Sequence, residues 1–276
     1  MSYWVPGFKI QEGPEVTGIP LHYVAERESD GVPVWIRVDG HVADESAGAL
    51  ALAVTYEATS RLDHPELPLV LAFGSTEITG RPFLAFQFDR VARPRMIAPA
   101  EAAEEATDLA ARLAEVHWLA LECGYGGVFI PVHELDRIRK GYAVEGRRLP
   151  IWEFLAEPRR NDGLCGFLGA LPEDEWAPFT APELFVRQRH KTSIRPAVVY
   201  RLALQLDYIL HGTHRAAAPA PGDAPALDPG TPLAGDTELD RLVRAALQQS
   251  PARRPGLEKF LTLKNAAQNR GDRTAN

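Results

Sequence analysis

Gly31-Val32-Pro33-Val34-Trp35-Ile36-Arg37-Val38 is a run of β-branched and aromatic residues. Its composition predicts a strand over residues 34–38. Ser29-Asp30-Gly31 just before it is turn chemistry, and Leu21-His22-Tyr23-Val24-Ala25 before that turn predicts another strand. Working outward, the Ala- and Leu-rich stretch Ser46 to Leu62 suits a helix. His64-Pro65 stops it, because a residue preceding proline avoids the helical region. Leu69 to Phe73 and Pro82 to Phe86 read as two further strands, punctuated by Gly74 and Thr79-Gly80.

After about residue 95 the pattern turns helical. Pro99 opens a long helix with Glu101, Glu104 and Glu105 in its first turns, where the helix dipole favours acids. Leu109, Leu113, Val116 and Ala120 share one face, and Gly124 is a natural stop. Val198 to Leu210 is a second apolar helix ending at Gly212. Thr237-x-x-Asp240 has the form of a capping box ahead of Leu239, Leu242, Val243 and Leu247. Ala216 to Gly235, rich in Ala, Pro and Gly, reads as a loop without fixed structure, and Gln268 to Asn276 as a disordered tail. The expected order is strands, one helix, strands, then helices only. That order predicts a small sheet lobe followed by a larger helical lobe, an α+β architecture.

With 276 residues the chain can bury one large domain or two modest lobes. A net charge of −7 disfavours a surface that tracks nucleic-acid phosphates. The trio Arg137, Arg139 and Lys140 reads as a solvated face. Cys123 and Cys165 are too few for a zinc site and lack C-x-x-C spacing, so both are expected to be free, buried thiols in a reducing compartment. Met1-Ser2-Tyr3-Trp4-Val5-Pro6 lacks the charged and apolar regions of a signal peptide. The apolar stretch Ala47 to Val54 is too short to span a bilayer. The expectation is a cytoplasmic protein with neither a nucleic-acid nor a membrane partner.

Five strings give the chain a resemblance to the bilobal protein kinase fold, most of all to bacterial Ser/Thr kinases of eukaryotic type, over about residues 8 to 262. Gly31 to Val38 resembles the strand that reads V-A-I-K in that family. Leu62-Asp63-His64-Pro65-Glu66-Leu67 is similar to the L-x-H-P-x-I after helix αC. Phe73-Gly74 through Gly80-Arg81-Pro82-Phe83-Leu84 is similar to the hairpin leading to the hinge. Ala181-Pro182-Glu183 matches A-P-E, and Ser250-Pro251-Ala252-Arg253-Arg254-Pro255 resembles D-P-x-x-R-P. The resemblance implies an antiparallel β-sheet N-lobe at 1–90, an α-helical C-lobe at 91–265, a disordered tail at 266–276, and a buried Glu183–Arg254 ion pair.

The same resemblance shows where phosphoryl-transfer chemistry is missing. Glu15, Thr17 and Pro20 stand at the phosphate-loop glycine positions, with only Gly18 nearby. Arg37 replaces the phosphate-binding lysine, and its planar guanidinium is not a simple substitute for an ammonium. Thr55 stands for the αC glutamate, while Glu57 points elsewhere around the helix. Gly127 to Asp136 fills the catalytic loop, so Phe129-Ile130-Pro131 replaces H-R-D and Pro131 cannot accept a proton. His133 takes the loop's lysine slot, and Asp136 takes its asparagine slot. Glu153-Phe154-Leu155 stands for D-F-G, which makes Asp136 and Glu153 weak candidates for a metal. Val198 replaces the aspartate that braces the loop, and His117 and Trp118 read as packing residues. Trp35 replaces the alanine that packs on adenine, His22 the valine opposite, and Phe86 is the gatekeeper, so Trp35 and Phe86 are expected to fill the cleft.

The reading that follows is a pseudokinase with no catalytic residue and no cofactor, acting as a scaffold or allosteric module for a protein partner. Two alternatives stay open. One is a divergent Ser/Thr kinase using ATP and Mg²⁺ through Arg37, Asp136 and Glu153. The other is a small-molecule sensor in the remodelled cleft. Ala216 to Gly235, which replaces the αG segment, is a linker or a partner contact.

Overall fold

A computed structural model describes residues 5–12, 21–39, 45–87, 99–130, 132–139, 153–156, 179–184, 194–212 and 237–263. The chain divides into two units. The first comprises Met1–Ala92, Val128–Ile130 and Val144–Glu173, and the second Arg93–Gly127, Pro131–Ala143 and Asp174–Asn276. Two stretches beyond residue 90 therefore group with the first unit.

In the first unit, strands β1 (Phe8–Glu12), β2 (Leu21–Arg27), β3 (Pro33–Val38), β4 (Val70–Ser75) and β5 (Pro82–Gln87) form an antiparallel sheet in the order β1-β2-β3-β5-β4. The β2–β3 turn closes through local bonds. Arg27 Nε donates to Asp30 Oδ1 at 2.9 Å, and the Val32 amide donates to the same oxygen at 3.2 Å. Gly31 takes φ +70°, which a β-carbon would oppose. The β4–β5 turn is tied by Thr76, whose hydroxyl meets that of Thr79 at 2.7 Å and accepts from the Arg81 amide at 3.0 Å.

Alternation divides the sheet into two faces. Tyr23, Ala25, Val34, Ile36, Val38, Phe83 and Ala85 join Val5 and Phe8 in one apolar cluster. The opposite face carries Trp35, Leu84 and Phe86, and helix α1 (Glu45–Arg61) sets Leu52 against it. After α1 the Glu66 amide donates to His64 Nδ1 at 3.2 Å, which holds the turn around Pro65.

The second unit is built on helices α2 (Pro99–Glu122), α3 (Val132–Arg139), α4 (Ile194–His211) and α5 (Glu238–Ala246). Every residue of α4 from Ala197 to Ile209 is buried, as befits a helix that neighbours surround. α2, α3 and α5 all pack against it. Gly124 ends α2 at φ +82° and Gly212 ends α4 at φ +70°, the left-handed stops expected of them. The capping box of α5 is complete: the Asp240 amide donates to Thr237 Oγ1 at 3.1 Å, and the Thr237 amide to Asp240 Oδ2 at 3.0 Å.

Several expectations need correction. The region beyond residue 95 is not purely helical, since β6 (Tyr125–Phe129) pairs with β7 (Glu153–Ala156). Gly126 and Gly127 dilute the strand signal of β6, and β7 is only four residues long. The stretch 127–136 is not a loop but the end of β6 followed by α3, with Leu135 fully buried and Val132 and Ile138 half-buried. Cys123 is exposed rather than buried, because it lies in the turn beyond the last residue of α2. Cys165, Lys140, Ala216 to Gly235 and Gln268 to Asn276 lie outside the described residues. Among the described residues no helix is long and apolar enough to cross a membrane.

Candidate functional site

Within the first unit, register brings the candidate cleft residues onto one face. Trp35 lies directly opposite Phe86 across β3 and β5, and Arg37 lies opposite Leu84. Residues two apart on a strand point the same way, so Trp35 and Arg37 share a face with both partners. Trp35 is half-buried against Leu52, Leu84 and Phe86, and Phe86 is 9% exposed. The indole and the phenyl ring thus sit in an apolar cluster sealed by α1. Arg37 is 3% exposed, a cation largely withdrawn from water.

α1 gives that cation no acid at the expected position. Thr55 is fully buried, and its carbonyl accepts from the Thr59 hydroxyl at 2.8 Å. Glu57 is half-exposed and pairs with Arg61 at 2.8 Å, one turn along the helix. Its carboxylate is therefore spent on the solvent side.

The His22 backbone pairs with Arg37 in the sheet, and the backbones of His133 and Glu153 lie in α3 and β7, but their side chains lie outside the described residues. Glu15, Thr17, Gly18, Pro20 and Pro131 lie outside them entirely, as does the Arg137 side chain.

In the second unit, Asp136 is on a helix and already engaged. Its Oδ1 accepts from the Tyr208 hydroxyl at 2.8 Å and from Arg139 Nη2 at 3.3 Å. A metal at Asp136 would compete with a phenol and a guanidinium for that oxygen. Among the described residues no three His, Cys, Asp or Glu side chains form a metal-binding group.

Val198 on α4 makes an apolar contact where the resemblance implies a carboxylate. A β-carbon on Gly127 would lie 3.4 Å from Val198 Cγ2 and 2.9 Å from His117 Nδ1. Gly127 itself takes φ +99°. His117 is fully buried and neutral; burial, then the nearby Arg201 cation, lowers its pKa to about 3, against a smaller opposing effect of Gln205. This buried polar group of His117, Arg201 and Gln205 went unread in the sequence, where the only signal was polar residues inside an apolar helix.

Glu183 follows Pro182 in a short 3-10 turn, Pro182–Leu184, and meets Arg254 just after a second such turn, Pro251–Arg253. Nη1 donates to Oε1 at 2.5 Å and Nη2 to Oε2 at 2.8 Å, a fork-to-fork pair. The remaining donors reach the carbonyls of Gln248 at 2.7 Å, Pro196 at 2.9 Å and Gln249 at 3.1 Å. The guanidinium also lies 4.4 Å above the Tyr200 ring. Its side chain is fully buried and that of Glu183 is 11% exposed.

No family model and no curated relative matches the sequence. Solved structures do match. The kinase domain of Mycobacterium tuberculosis PknI aligns over 96% of this chain and 97% of its own, at a TM-score of 0.56 and 17% identity. That likeness, with the antiparallel sheet unit and the helical unit, shows that this chain has a protein kinase-like bilobal α+β fold.

Proposed function

We propose that this kinase-fold chain is a pseudokinase, a scaffold or allosteric module that binds a protein partner rather than transferring phosphate. The observation that carries the reading is the apolar cluster of Trp35, Phe86, Leu84 and Leu52, at the positions where the family resemblance expects adenine. An indole there takes up volume that a nucleotide base would need, and a packed interior does not yield that volume without cost. Thr55 in place of an acid and Pro131 in place of a base add to it. With a net charge of −7, we read the partner as a protein in a bacterial cytoplasm rather than nucleic acid or membrane.

The test is incubation of the purified chain with labelled ATP and Mg²⁺ or Mn²⁺, alongside thermal unfolding at millimolar ATP. The expected outcome is no phosphate incorporation and no shift in Tm. Time-dependent incorporation that Glu153→Ala abolishes would overturn the proposal. One observation favours the runner-up, a divergent Ser/Thr kinase using ATP and Mg²⁺: Arg37 keeps a buried cation at the lysine position, on the same face as Trp35. That reading requires a nucleotide-dependent rise in Tm which Arg37→Met removes.

A further inference from the structure

The sheet of the first unit ends in two edges of different character. β1 forms one of them and carries the exposed Lys9, a charge that blunts pairing with a further strand. β4 forms the other and has no charged residue from Val70 to Ser75. Among the described residues the large apolar side chains open to water are Leu50, Tyr56, Leu69, Phe73 and Ile78, all between the start of α1 and the β4–β5 turn. Tyr56 of α1 and Phe73 of β4 stack with ring centroids 5.2 Å apart and 19° between the ring planes, yet they remain 40% and 39% exposed.

Hydrogen bonds show which backbone groups of β4 look outward. The Asp39 amide donates to the Pro82 carbonyl at 2.9 Å, so Pro82 and, by alternation, Leu84 turn toward β3. Phe83 and Ala85 are left for β4, where they face Gly74 and Ala72. The Thr76 amide donates to the Arg81 carbonyl at 2.8 Å, which fits the same alternation. The N–H and C=O groups of Phe73 and Ser75 therefore point away from β5, and among the described residues β5 is the only strand paired with β4. The bulge in β4 lies between Val70 and Ala72, so the strand is regular where these groups emerge.

Two outward residues spaced two apart are self-complementary about a two-fold axis. An antiparallel second copy, with Gly74 facing the partner's Gly74, sets Phe73 against the partner's Ser75 and Ser75 against the partner's Phe73. Each of those pairs exchanges both of its N–H···O bonds. Because β4 is uncharged, the copies meet without like charges opposed, although the whole chain carries a net charge of −7. Phe73 lies opposite Leu84 on the α1 face, so the partner's Ser75 covers part of the Tyr56–Phe73 stack. We propose that β4 is a homodimerisation edge, at which two copies of this chain join their sheets through Phe73 and Ser75. The pairing goes beyond the pseudokinase reading and does not rest on it.

The experiment is sedimentation velocity of the full chain over a range of concentrations, with amide hydrogen exchange followed at the same concentrations. Wild type should pass from the mass of one chain to twice that mass as concentration rises, and the Phe73 and Ser75 amides should exchange more slowly in the dimer. Ser75→Pro removes an outward donor without touching the β4–β5 ladder, so it should stay monomeric. Phe73→Lys puts a charge on the edge and should do the same. Should Ser75→Pro fail to fold, Phe73→Lys decides, because that position is exposed. A wild type that stays monomeric at every concentration, as an edge reserved for a different protein would give, overturns the proposal. So does a dimer that neither substitution weakens.

Discussion

Replacing Arg254 with methionine asks how much of the helical unit rests on one desolvated ion pair. The substitution keeps an unbranched stem but removes every donor. Glu183, with a side chain 11% exposed, then faces no cation, and the carbonyls of Gln248, Pro196 and Gln249 each lose a bond. Removing one partner of a buried pair costs about 3–5 kcal/mol, because the survivor's charge stays buried. The three carbonyls push the expectation toward the upper half, about 4 kcal/mol. The double variant Glu183→Met/Arg254→Met removes the orphaned charge as well, so it should cost less than the sum of the single variants by about 2 kcal/mol. The assay is urea unfolding followed by far-ultraviolet circular dichroism, reading the midpoint at unchanged m. Both residues belong to the second unit, so if the two units unfold separately only one transition should move. A loss below about 1 kcal/mol, the value of an exposed pair, would refute the reasoning, as would single-variant losses that simply add.

Three further outcomes are expected. His117 has a folded pKa of about 3 against about 6.5 when unfolded, so below pH 6.5 the unfolded chain takes up a proton that the folded chain refuses. Stability should therefore be unaffected by this group above pH 6.5, fall as pH drops from 6.5 to 3, and level off below. Between pH 7 and pH 5 the loss is about 2 kcal/mol, and urea unfolding of His117→Gln at both pH values should lack it. Gly127→Ala forces a side chain into φ +99° and sets a β-carbon 2.9 Å from a buried ring, so unfolding free energy should drop by about 3 kcal/mol or more; a drop under about 1 kcal/mol would mean the ring can move aside. Thr237→Ala removes the hydroxyl that accepts from the Asp240 amide and should cost about 1 kcal/mol, with α5 as the element whose amide protons exchange faster.

Much of this fold was legible because its signals are local. The β2–β3 turn depends on Asp30 and Gly31 bonding within a few residues, and the α5 cap on two side chains three apart. Both can be read without knowing what lies across the core. The kinase resemblance, rather than any local rule, puts Trp35 and Phe86 in one cleft, and the register of β3 with β5 sets the two residues opposite each other. Helix α3 was missed for a different reason. Val132, Leu135 and Ile138 recur at helical spacing directly after a proline, yet family resemblance assigned the stretch to a loop, and the local pattern prevailed. β6 hid behind its glycines. Gly127 is there because His117 and Val198, distant in sequence, leave no room for a β-carbon, and no local rule reports such a contact.

The arginines of this chain explain why scaffold and chemistry read so differently from sequence. Arg254 meets a glutamate 71 residues away in a dry, bidentate pair, and either half alone would be an uncompensated buried charge. Such a pair stands or falls together, so Ala181-Pro182-Glu183 and Arg253-Arg254-Pro255 are visible as complementary strings. Position 198 follows the opposite logic. A carboxylate there would sit against Gly127 and a neutral, fully buried imidazole and would need donors of its own, whereas valine needs only contact. Thr55 likewise sits on a fully buried part of α1, where a carboxylate would also need donors of its own. Glu183 and Arg254 therefore stand as a matched pair, while Thr55 and Val198, at two positions where the kinase resemblance implies acids, are buried groups that carry no charge. A packing group leaves no motif, and its role emerges only when its neighbours are known.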